Sequence, residues 1–167
     1  MPKNRYLKVI PVIKQDKNSP VPASFWREAV KQAVYQTDLT GCITVSVTIT
    51  DDENIKKLNR DYRGIDTATD VLSFSLLEGE GDLAESDADE LLLGEIVISL
   101  ETALRQAKED GVTLRHMCAW LIAHSVLHLI GMDHPDDEQR LVMNKRELKI
   151  IRKLGFAKLP KMLETCD

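Results

Sequence analysis

Cysteine is scarce in this sequence, long apolar runs are missing, and neither internal repeats nor low-complexity segments occur. Each shortage removes a class of protein. Cys42, Cys118 and Cys166 are odd in number and irregularly spaced, which fits neither a disulfide framework nor a cysteine metal cluster, so they read as free thiols. No stretch approaches the roughly 20 apolar residues of a membrane-spanning helix, and MPKNRYLKVI lacks the apolar core of a secretory signal. A cytoplasmic protein with no membrane partner is therefore expected. What is present is ordinary for a globular chain: 43% apolar and 29% charged residues over a length of 167. That is enough to bury a core in one domain covering 1–167.

A surplus of base is also missing. The net charge of -5 argues mildly against a nucleic-acid partner, whose phosphates are held by Lys and Arg. The acid, however, is concentrated. Seven carboxylates (Glu78, Glu80, Asp82, Glu85, Asp87, Asp89 and Glu90) occur over 78–90 without one base, and setting those seven against -5 leaves the rest of the chain at +2. A local basic surface remains open, and 78–90 reads as a solvated loop.

Period and punctuation give the elements. Residues 6–13 predict a strand that Pro11 confines to an edge or a bulge, and Ile43, Val45, Val47 and Ile49 alternate with hydroxyl residues in a second strand over 42–50. Val71–Leu76 and Leu92–Leu100 make about four strands. Trp26, Ala29, Val30, Ala33 and Val34 recur at helical spacing, and Thr50 with Glu53 has the form of a capping box for a helix ending at Gly64. Further helices are predicted over 100–110, stopped by Gly111, and over 114–130, capped by Thr113 and apolar on nearly every side. The last runs from Asp136, Asp137 and Glu138 to Lys149, Arg152 and Lys153, matching the helix dipole at both ends. The total is about five helices.

The chemistry lies in HSVLHLIGMDH. At about 3.6 residues per turn, His124 and His128 project from one helix face, and Gly131 lets the chain reverse and return His134 to the same point. Three imidazoles fit a catalytic zinc, which takes three protein ligands and keeps a fourth position open. His116 stands apart and reads as a hydrogen-bonded core residue. In HExxH peptidases a glutamate follows the first histidine as general base, but here that position is Ser125. A peptidase would need a base from elsewhere, with Glu95 the candidate. Zinc-assisted phosphodiester cleavage stays accessible, and it calls for an arginine facing the phosphate.

HSVLHLIGMDH resembles the HGxLHLxGYDH signature of the YbeY-type endoribonucleases, zinc-dependent ribosomal RNA maturation factors. LNRDYRGIDTATDVLSFSL resembles the family block LNxxYRGxDxxTDVLSFP, and LLLGEIVISLETA resembles its LLGDIVIS strand and the helix that follows, so the likeness spans about residues 42–150. It implies an α+β, zinc-hydrolase-like fold with a small mixed sheet packed by helices. It implies one zinc on His124, His128 and His134, and cleavage of single-stranded RNA, with the 3' end of precursor 16S ribosomal RNA as substrate. Small ribosomal subunit proteins and a ribosome-associated GTPase are the implied partners. By position, Arg63 of the YRG turn would act with His128 in catalysis and bind substrate, with Arg60 the neighbouring candidate.

Three departures from the pattern stand out: Ser125 for glycine, Met132 for tyrosine and Ser75 for proline. Thr69 and Asp70 are read either as site-shaping residues or as an ordinary turn, and Asp133 as a group that orients a ligand. Two rival functions remain, a zinc peptidase and a non-catalytic ribosome-associated zinc module. The module would bind through Lys145, Arg146, Lys149, Arg152 and Lys153.

Overall fold

A computed structural model describes residues 6–77 and 90–160. Strands β1 (Leu7–Lys14), β2 (Gly41–Thr50), β3 (Val71–Ser75) and β4 (Glu90–Ser99) form one sheet in the order β1-β2-β4-β3. β1 and β4 run parallel to β2 between them, while β3 is antiparallel to β4. Helices α1 (Ala23–Tyr35), α2 (Asp52–Arg63), α3 (Leu100–Asp110), α4 (Leu114–Leu129) and α5 (Asp137–Lys153) complete an α+β fold. The mixed sheet and the five helices match the expectation. Of the acidic stretch 78–90 only Glu90 is described, and it opens β4; the solvated-loop expectation otherwise lies outside the described residues, as does Cys166.

Pro11, which cannot donate to a ladder, sits on edge strand β1 as its missing N–H requires. α4 is enclosed. Met117, Leu121, Ile122, Val126 and Leu127 are buried with Trp26 and Val30 of α1 and with Ile43, Val45, Val47, Ile96 and Ile98 of the sheet. The opposite sheet face carries a smaller cluster, in which Ile55 of α2 is buried on Leu72 and Val97 beside Leu58 and Phe74. At 16 residues α4 is too short to span a bilayer core of about 30 Å, and no described helix is long and apolar enough to cross a membrane.

The caps follow the sequence with one shift. Thr113 and Asp136 accept from the backbone N–H groups of His116 and Gln139, and Gly64 and Gly111 end their helices with positive φ. α2, however, is capped by Asp51, whose side chain accepts from Asn54 N, and not by Thr50. Thr50 is held in the β2 ladder opposite Ser99 and has no freedom to turn back.

Candidate metal centre

α4 delivers His124 and His128 one turn apart near its C-terminus. The helix then closes tightly: Ile130 N donates to Val126 O, Gly131 N to His128 O and Met132 N to Leu127 O. Gly131 takes φ +92°, a conformation that L side chains rarely adopt. The reversal carries His134 back to the other two rings.

One ring nitrogen from each of the three histidines falls within 4.8 Å of the others. His128 Nε2 lies 2.9 Å from His124 Nε2, and the His134 centroid is 5.7 Å from that of His124 and 5.4 Å from that of His128. All three histidines are half-buried. Burial first, and then the neighbouring His124 and His134, hold the His128 pKa below its ordinary value; a Met132 backbone hydrogen bond and Asp133 only partly oppose this. A neutral, lone-pair-bearing imidazole is the form that binds a metal. Three convergent imidazoles without a coordinating carboxylate suit a borderline-soft dication, and the residues present fit such an ion.

The surroundings were only partly foreseen. His124 Nδ1 faces a carboxylate, Glu147 Oε1 at 3.4 Å, contributed by α5. Glu147 sits on the apolar stripe Met143, Glu147, Ile150, Ile151, and a lone acid on a core-facing stripe was the available signal. Asp133, the expected orienting group, instead accepts from the backbone N–H of His134 at 2.8 Å. Ser75 donates to Leu129 O at 3.0 Å and so ties β3 to the end of α4, a bond that proline could not make. His116 is a satisfied histidine, its Nε2 2.6 Å from Lys158 O and its ring stacked on Phe156.

Arg63 ends α2, is exposed, and makes no ion pair among the described residues. Its neighbour Tyr62 sets its ring edge-on to Phe74, and Phe74 adjoins the Ser75 that holds α4. α2 and α4 therefore reach adjacent residues of β3, Phe74 and Ser75, from opposite faces of the sheet, and Arg63 stands on the α2 side with Glu95. Arg60 is engaged with Asp61 at 3.2 Å. Asp70 accepts from Val71 N at 2.7 Å and from Thr69 Oγ1 at 3.3 Å, a turn holding the start of β3. Glu95 lies opposite Phe74 in the ladder, and strand alternation turns it to the sheet face of Val97, away from α4. A peptidase reading loses its proposed base. Lys145, Arg146, Lys149, Arg152 and Lys153 are exposed along α5.

Comparison with known proteins adds a family to this geometry. Residues 12–155 match the family model described as endoribonuclease YbeY. Proteins named endoribonuclease YbeY include one from Desulforamulus reducens, 51% identical over 67% of this chain and 72% of its own length. Another, from Caldanaerobacter subterraneus, is 44% identical over 77% of this chain and 84% of its own. The solution structure of TM1509 from Thermotoga maritima superposes with a TM-score of 0.54 over 88% of this chain and 91% of that one at 22% identity, a likeness of fold.

Proposed function

The chain belongs to the YbeY endoribonuclease family, and on that premise we propose that it is a single-domain (1–167) cytoplasmic enzyme cutting single-stranded RNA with one zinc held by His124, His128 and His134. The convergence of three ring nitrogens within 4.8 Å at the end of an otherwise buried helix carries the reading. Bound zinc supplies Lewis acidity toward a phosphodiester. The chain supplies the rest. The imidazoles present lone pairs, and Arg63, exposed and without an ion pair among the described residues, offers a planar guanidinium that would grip phosphate in bidentate fashion. Arg60, paired with Asp61, is the secondary contact.

Precursor ribosomal RNA, at the 3' end of the 16S species, is the proposed substrate. Small ribosomal subunit proteins and a ribosome-associated GTPase are the proposed partners. The reading is tested by cleavage of a labelled unstructured RNA, with metal content measured in the same preparation. Wild type should carry about one zinc and cut. His128→Ala should lose both metal and cleavage, whereas Arg63→Ala should keep the metal and lose at least about 100-fold in rate, as removal of a group stabilising transition-state charge does. Undiminished cleavage by both variants would overturn the reading.

A further inference from the structure

We propose that Glu147 is a positioning residue for the metal centre: its buried carboxylate holds His124 with the proton on Nδ1, so that Nε2 is the nitrogen offered to the metal. The inference rests on the metal reading above but concerns a residue that touches no substrate.

Glu147 is 1% exposed. Its two oxygens are divided between two donors: Oε2 accepts a short hydrogen bond from the Trp120 indole N–H, and Oε1 faces His124 Nδ1 at 3.4 Å. No lysine or arginine pairs with it among the described residues, and His124 is its one ion-pair partner there. A carboxylate buried without a cation is costly, and a glutamine would satisfy the Trp120 N–H at lower cost. Satisfying the indole therefore does not explain an acid at this position.

A dication on the far side of the imidazole does explain it. A carboxylate, a histidine and a metal in line compensate the buried negative charge, fix the tautomer and raise the basicity of the coordinating nitrogen. The geometry has that order, with Nδ1 toward Glu147 and Nε2 toward His128 Nε2. The Trp120 ring, 4.9 Å from the His124 ring and tilted by 35°, limits the imidazole from one side. Glu147 of α5, 23 residues beyond His124, thus sets which atom α4 presents.

The test needs no cleavage assay. Nitrogen-15 NMR of the wild-type imidazoles reads the tautomer directly. The expected result is Nδ1–H on His124 both without metal and with zinc bound; an Nε2–H tautomer, or coordination through Nδ1, overturns the proposal even if no variant folds. In Glu147→Gln, chelator competition should show about 10- to 100-fold weaker zinc affinity. Its cobalt-loaded form should have shifted visible bands, while Glu147→Asp, which keeps the carboxylate, should recover part of the lost affinity. Wild-type affinity and cobalt bands in Glu147→Gln sink the inference and leave the metal reading standing. A wild type that takes up no metal sinks both.

Discussion

Gly94 shows how finely the end of α4 is fitted to the sheet. A Cβ on Gly94 would lie 2.5 Å from Phe74 O and 2.6 Å from Leu129 Cδ2, so an alanine must push back the edge strand, the last turn of α4, or both. Overpacking of this kind costs about 1–3 kcal/mol. Gly94→Ala should therefore lower the Tm by several degrees and also weaken metal uptake, since Leu129 follows His128 directly. Calorimetry with parallel metal analysis checks this; an unchanged Tm would mean that the close approach is relieved at no cost. At this scale the sequence showed that three histidines converge, because i, i+4 spacing puts two rings on one helix face and the glycine lets the chain return the third. It hid Glu147 and the Ser75 bond, which bring together residues 23 and 54 apart in the chain. α5 reads as a charged surface helix until the acid on its apolar stripe is noticed.

Among elements, the joint that seats α2 is the Asp52 carboxylate. It accepts from Ser99 Oγ at 2.6 Å and Thr102 Oγ1 at 2.5 Å and pairs with Arg105 at 2.7 Å, while its own N–H donates to Glu101. These contacts clasp the start of α2, whose other end carries Arg63, to the start of α3. Partial burial alone would raise the Asp52 pKa, but the hydrogen bonds from Ser99, Thr102 and Arg105, with the charge of Arg105, hold it below 3.8. A folded-state pKa below the unfolded one means that the stabilisation is complete above about pH 3.8 and fades as acid protonates the group. Asp52→Asn should accordingly melt a few degrees below wild type at pH 7, and the gap should narrow as the pH falls below about 3.8. A gap that persists or widens in acid would show that packing, not charge, makes the joint. Element type was legible from periodicity throughout. The α2 cap was not, because Thr50-x-x-Glu53 and Asp51-x-x-Asn54 both satisfy local rules, and only the pairing of Thr50 with Ser99 across the sheet decides between them.

For the whole molecule, the strand order lay beyond local reading. β3 and β4 follow one another and pair, but the insertion of β4 beside β2 depends on burying Val47 with Ile96 under α4, a contact between distant segments. That same core predicts what metal removal does. Trp26, Ile43, Ile98 and Leu121 are buried together without help from the three histidines, which stay half-buried. The chelated protein should therefore remain folded, with its helical circular dichroism kept. A ligand that binds only the native state adds stability by mass action, about 2.7 kcal/mol when free metal is 100 times its Kd. For a chain of this length that corresponds to a Tm higher by about 5–11 °C. Zinc should give this increment to wild type and none to His128→Ala, whose unliganded Tm should lie near that of the chelated wild type. Cooperative unfolding on chelation would instead make the ion a structural staple and favour the ribosome-binding module over the nuclease, because a metal that the core needs for folding has less reason to keep a coordination position open for substrate.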